Sequence, residues 1–267
     1  MGEKIFFVGI DLAWSVKNNS GVCILVHEKN KCKLIHAGVA LSDEEIIEII
    51  KKNVGSNPAL IAIDAPLIVP NESGRRKAED LTSQLFIKYH ASPYPTNRKN
   101  MTKWSEDIRG ETLSKRLEKE KFKQDPYIKL HEYTRKFFEV YPHPAIVSMF
   151  NLDKIIEYKW KPKRSRQYVL KEFDRYRMHI KKFCKKNNIE LPKKIIDKDL
   201  SSLSKKDMKA YEDMMDGIFC SLISYYAWSY PDECAVLGNM TTGYILTPVK
   251  SHMKNILSEK QSSLDKY

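Results

Sequence analysis

Apolar positions early in the chain fall into short runs, and later ones recur at helical spacing. Ile5 to Ile10 (IFFVGI) and Gly21 to Val26 (GVCILV) are β-type runs joined by the polar stretch Ser15 to Ser20, which predicts a hairpin. Lys33 to Leu41 predicts a third strand. Ser42 then opens a helix carrying Ile46, Ile47, Ile49 and Ile50, with Ser42 and Glu45 at capping-box spacing. Ala59 to Ile63 (ALIAI) is continuous rather than alternating, the pattern of a central strand covered on both faces, and Asp64 and Pro66 end it. A helix is predicted over Arg75 to Ala91, loop and charged helix from Ala91 to about Gln124, and a strand over Phe137 to Tyr141 with Glu139 in its middle. Ser165 to Asn187 reads as an amphipathic helix, with Val169, Phe173, Tyr176, Ile180 and Phe183 inward and Lys171, Arg175, Lys182 and Lys186 outward. Ile189 to Ser204 reads as an irregular connection. Two short strands, Glu233 to Leu237 and Gly243 to Leu246, close the fold before a loose polar tail.

The chain centres on Tyr211 to Trp228, too short an apolar run to cross a bilayer and therefore a buried helix. Asp213 and Asp216 share one face at its start, where the helix dipole alone favours acids. The same face carries Gly217, Cys220 and Ser224, a strip of small residues that lets the helix lie close to a sheet. These elements predict an α/β fold in one domain over residues 1–250, with a basic helical insertion at about 151–207 and a polar tail over 251–267.

Charge sharpens the picture. The net +12 resides in one segment, because Lys159 to Lys209 holds 18 basic and 6 acidic residues and the rest of the chain is balanced. Clustered basic charge suits a polyanionic partner such as DNA or RNA, although a lysine-rich solvated surface has the same composition. The five cysteines are scattered without a C-x-x-C pair, against a disulfide framework or zinc site. The start MGEKIFFVGI has neither the basic region nor the cleavage site of a signal peptide, and a soluble cytoplasmic protein is expected.

Asp11, Asp64 and Glu139 end or interrupt apolar strands, and Asp213 and Asp216 begin the late helix. Oxygen ligands without histidine or thiolate suit Mg²⁺ or Mn²⁺, and a pair of such ions would serve phosphodiester hydrolysis. Arg75 and Arg76, following the Asp64 loop, are candidate phosphate contacts, as are Lys171, Arg175, Lys182 and Lys186. At these residues the chain resembles a known family. GIDLAW (Gly9 to Trp14), AIDAPL (Ala62 to Leu67), EVYPHPA (Glu139 to Ala145) and EDMMDGIFCSL (Glu212 to Leu222) are similar to signature blocks of the DUF429 family, predicted nucleases of the ribonuclease H-like superfamily. The resemblance implies a mixed sheet, three antiparallel strands followed by parallel ones, flanked by helices. It also implies a metal set of Asp11, Asp64, Asp213 and Asp216, with Glu139 contributing to catalysis.

The expected function is a two-metal nuclease. Its alternative is a nucleic-acid-binding or interaction protein on the same fold. A kinase-like ATPase is disfavoured, because DLAWS and DAPL lack glycine-rich phosphate turns and no G-x-x-x-x-G-K-[ST] or G-x-G-x-x-G occurs.

Overall fold

The structure is a computed structural model describing residues 4–103 and 106–264, with side chains described to residue 257. Its framework is a seven-stranded mixed sheet. Strands β1 (Lys4–Asp11), β2 (Ser20–Glu28) and β3 (Lys31–Ala40) form an antiparallel meander, with Asp11 opposite Gly21. Helix α1 (Asp43–Val54) then returns the chain to β4 (Ala59–Asp64), which lies parallel to β1 and places Asp64 beside Asp11. The Ser42 hydroxyl caps α1 as expected, accepting from the Glu45 amide at 3.2 Å.

Next come α2 (Lys77–Phe86), the short α3 (Arg98–Met101), α4 (Arg109–Lys119) and β5 (Lys123–Gln124). Strand β6 (Arg135–Glu139) adds parallel to β4, and α5 (Pro142–Met149) follows it. Helix α6 (Arg166–Lys186), β7 (Ile189–Glu190) and α7 (Lys193–Ile196) lie in the basic segment. The long α8 (Lys205–Ser229), the hairpin β8 (Cys234–Asn239) and β9 (Gly243–Pro248), and α9 (Ser251–Leu264) complete the fold. The sheet order β5-β6-β4-β1-β2-β3-β7 has the antiparallel-then-parallel character of the ribonuclease H-like arrangement.

Alternation along the central strands explains the layers. Phe7, Leu25, Leu60 and Phe138 face the side covered by α5, α6 and α8, while Phe6, Val8, Ile61 and Ile63 face α1 and α4. Because both faces are covered, β1 and β4 carry no polar alternation until the aspartate that ends each.

Several boundaries differ from expectation. Helix α8 begins at Lys205, capped by the Ser204 hydroxyl, which accepts from the Asp207 amide at 3.1 Å. Asp213 and Asp216 are therefore its ninth and twelfth residues, beyond the first turn to which a dipole effect is confined. Glu139 is the last residue of β6 rather than its middle, since the strand ends there and Val140 only bridges to Leu246. Helix α2 is shorter than predicted and continues as a 3-10 turn, Ile87–Tyr89. The connection after α6 is more ordered than expected, with β7 extending the sheet beside β3. The tail is not loose at its start, because Met253 of α9 is fully buried against Leu85, Phe86 and Val147. No described helix is long and apolar enough to cross a membrane.

Candidate metal centre

Asp11 and Asp64 are paired neighbours at the carboxyl ends of two parallel strands, the usual place for a ligand site in such sheets. Both are partly exposed, and among the described residues no hydrogen bond reaches either carboxylate. Helix α8 brings the other acids over them by lying directly on the strands. A Cβ on Gly9 would sit 2.1 Å from the Gly217 carbonyl oxygen, and one on Gly21 would sit 1.8 Å from that of Asp213. Only hydrogen at these positions permits the approach. The predicted strip of small residues is thus the contact face, extended by the Ser224 hydroxyl, which donates to the Leu60 carbonyl at 2.8 Å.

Asp216 is fully buried. Its Oδ1 accepts from the Tyr158 hydroxyl at 2.6 Å, and its Oδ2 lies 2.6 Å from the ammonium of Lys159. Asp213 is buried too, and accepts from Lys209 at 2.6 Å, while Lys209 also donates to Glu212 at 2.8 Å. Of the four predicted ligands, two are half-buried with no hydrogen-bond partner among the described residues, open in that sense, and two are engaged by lysines.

Electrostatics follow from this crowding. Burial raises the Asp11 carboxyl well above its ordinary value; Lys159 opposes this, and Asp216, Asp64 and Asp213 add to it. Burial pushes Asp64 up to about 7, opposed by Lys159 and reinforced by Asp216 and Glu139. Burial alone would lower Lys159, yet Asp216, Asp11 and Asp64 together hold its ammonium firmly charged. His143, on the first turn of α5, is depressed to about 3 by burial and by Lys159, Lys161 and Arg164, so it is neutral near pH 7.

Glu139 and Arg76 are placed differently from their predicted roles. Arg76 is 3% exposed and so is withheld from a phosphate. Its guanidinium donates to Glu139 and Glu79, and to the Ile68 carbonyl at 2.8 Å. Glu139 also accepts from the Leu67 amide at 2.9 Å, so the pair fastens the loop after β4 to the end of β6. The apolar surroundings demand such pairing, because a lone buried charge is costly. Arg75 is exposed but donates to Ser83 and to the Pro93 carbonyl. Lys171, Arg175, Lys182 and Lys186 are exposed on the outer face of α6, as predicted.

Sequence reasoning missed three residues here. Lys159 and Tyr158 come from the loop before α6, and nothing in a segment with 18 basic residues singles out one lysine. Arg109, at the start of α4, is buried; it pairs with Asp43 at 2.8 Å and donates to the carbonyls of Ala13 and Ser15, fixing the loop after Asp11. The adjacent Gly110 is packed on the Pro66 carbonyl, so the same helix end also holds the loop after Asp64.

A divalent ion is tested here by donor chemistry and charge. Among the described residues, no group of three or more His, Cys, Asp or Glu has metal-holding spacing. Mg²⁺, however, is commonly held by one or two carboxylates, with water and substrate completing its shell. The open, unpartnered Asp11 and Asp64 carboxylates fit that requirement.

No curated protein and no solved structure matches this chain. One family description does: "Protein of unknown function (DUF429)" matches residues 9–241, most of the chain, and the protein belongs to the DUF429 family.

Proposed function

We propose that this protein is a divalent-metal-dependent nuclease that hydrolyses nucleic-acid phosphodiester bonds, with Mg²⁺ or Mn²⁺ held by Asp11 and Asp64. The observation that carries the reading is the pair of open carboxylates at adjacent parallel strand ends, roofed by a glycine-lined helix bearing two more acids. When bound, the ion supplies Lewis acidity toward a phosphoryl oxygen and neutralises charge there. Asp11 and Asp64 orient it. The Lys159 ammonium, fixed on Asp216, offers positive charge to an incoming phosphate. Asp213 and Asp216 act by positioning Lys209 and Lys159 beneath the basic insertion. Arg109 and the Arg76–Glu139 pair keep the two strand-end loops in place. Lys171, Arg175, Lys182 and Lys186 supply a phosphate-tracking surface.

A binding protein without turnover would use the same basic surface, and cleavage separates the two. Labelled single-stranded, double-stranded and branched DNA and RNA are incubated with Mg²⁺, Mn²⁺ or EDTA. The nuclease reading expects metal-dependent products that are lost in Asp11→Asn and Asp64→Asn, by a factor of at least about 10² for loss of electrostatic stabilisation at the reacting group. Binding without cutting by the wild type under every metal condition would leave the binding reading in its place.

A further inference from the structure

We infer that Lys159 provides the second cation of this centre, so that the site takes one divalent ion where its carboxylates alone would call for a pair; the inference rests on the metal-dependent reading of Asp11 and Asp64. The first argument is charge. Asp11, Asp64 and Asp216 are three carboxylates, and Lys159 is an ammonium lying against Asp216 and close enough to sense the other two. With all three carboxylates ionised, as binding a metal ion requires, the balance of that group is two negative charges, which a single divalent ion neutralises. A second divalent ion would leave two positive charges in excess in a buried setting, where uncompensated charge is most costly.

The second argument is occupancy. Both oxygens of Asp216 are engaged, one by the Tyr158 hydroxyl and the other by Lys159. Asp213 is engaged by Lys209. A second ion shared between Asp216 and Asp11 or Asp64 would have to displace the Lys159 ammonium from Oδ2, and one on Asp213 would have to bind beside the Lys209 ammonium, which already lies on Oδ1.

The third argument is construction. Lys159 is not a surface lysine that has folded over by chance, because the residue before it is a built anchor. Tyr158 is fully buried and stacks on Tyr176 of α6, with ring centroids 4.2 Å apart and planes 13° from parallel. Its ring also meets Phe173 edge-on at 5.5 Å. Two consecutive residues thus serve one carboxylate. The insertion is thereby tied to α8 at the acid that faces the strand ends, which gives the basic segment a role at the metal centre as well as on the surface.

The test counts ions on the folded full-length chain. Mn²⁺ is titrated into metal-free wild type, Lys159→Met and Lys159→Arg, reading free Mn²⁺ by electron paramagnetic resonance and heat by calorimetry, with circular dichroism confirming the fold. Expected are saturation at a single ion for wild type and Lys159→Arg, and uptake of a second ion by Lys159→Met. Two ions on wild type would overturn the inference, whatever the variants do. So would a single ion with unchanged affinity on Lys159→Met, or an ion bound only after Lys159 is removed, which would make the lysine a plug. Should Lys159→Met not fold, Lys159→Met combined with Asp216→Asn removes the stranded charge; the wild-type count remains decisive, and the double variant is expected to stay at a single ion. Ion counting needs no turnover, so a failed nuclease reading appears as binding without cleavage and is distinguishable from a failed count.

Discussion

At the scale of the residue, five acids that look alike in sequence divide into three kinds in space. Asp11 and Asp64 are open, Asp213 and Asp216 are engaged by lysines, and Glu139 is locked to Arg76 with 2% of its surface exposed. The strand-end acids are legible in sequence because an aspartate closing a continuous apolar run has little other place to be. The partner of Glu139 is not legible, since Arg76 lies 63 positions away and only the pairing of β4 with β6 brings the two together. This division predicts that Glu139→Gln acts on stability rather than on metal. Removing one member of a buried pair costs about 3–5 kcal/mol, and Glu79 remains to hold Arg76, so the lower end is expected. Denaturant unfolding of the metal-free variant checks this, with Mn²⁺ affinity expected to match wild type. Unchanged stability together with lost Mn²⁺ binding would return Glu139 to the metal centre.

At the scale of the element, α8 is the device that assembles the site. Its apolar run is obvious in sequence, but its true start is hidden, because Lys205 to Ala210 is mostly polar and contributes only Met208 to the core. Ser204 and Asp207 carry the cap signal, yet a single cap among polar residues does not distinguish a helix start from a turn. Elements that leave no period are equally hidden. The two-residue β7 and four-residue α7 owe their existence to packing against β3 and α8, not to local preference. What makes α8 a scaffold for chemistry is its closeness to β1 and β2, and that closeness is testable. Gly21→Ala would drive a Cβ into the Asp213 carbonyl, a backbone atom that cannot rotate away. The helix must move, at a cost of about 1–3 kcal/mol or more for an overpacked core. With about 2–4 °C lost per kcal/mol in a chain of this size, thermal melting should fall by several degrees. Mn²⁺ affinity should fall with it, because Asp216 rides on the displaced helix and Lys159, in the loop before α6, is held beside the strand ends by its contact with Asp216. A melting point lowered with Mn²⁺ binding intact would mean that α8 is dispensable to the ion.

At the scale of the whole molecule, the sheet supplies the acids and the insertion supplies the opposite charge. The segment holding the entire net charge of +12 is anchored at the metal centre by Tyr158 and Lys159 and then runs away along α6. Lys182 and Lys186 lie near its far end, beside a groove lined also by Phe150, His179, Tyr226 and Tyr230. Tyr226 is ten residues beyond Asp216 on α8, about 15 Å along the helix at 1.5 Å per residue. These lysines are therefore too remote to touch a phosphate at the strand ends, but well placed for one a few nucleotides away, with aromatic rings beside them on which bases can stack. A strand that reaches from the acids to this groove makes binding salt-dependent through phosphates that chemistry at the centre does not use. Lys182→Gln with Lys186→Gln should accordingly weaken single-stranded binding and flatten the plot of log affinity against log salt by about 0.7 for each phosphate no longer neutralised. The Mn²⁺ count should stay as in wild type, because neither lysine faces Asp11 or Asp64. A slope unchanged from wild type would show that the nucleic acid leaves the centre by another path and that this face of α6 is only a solvated one.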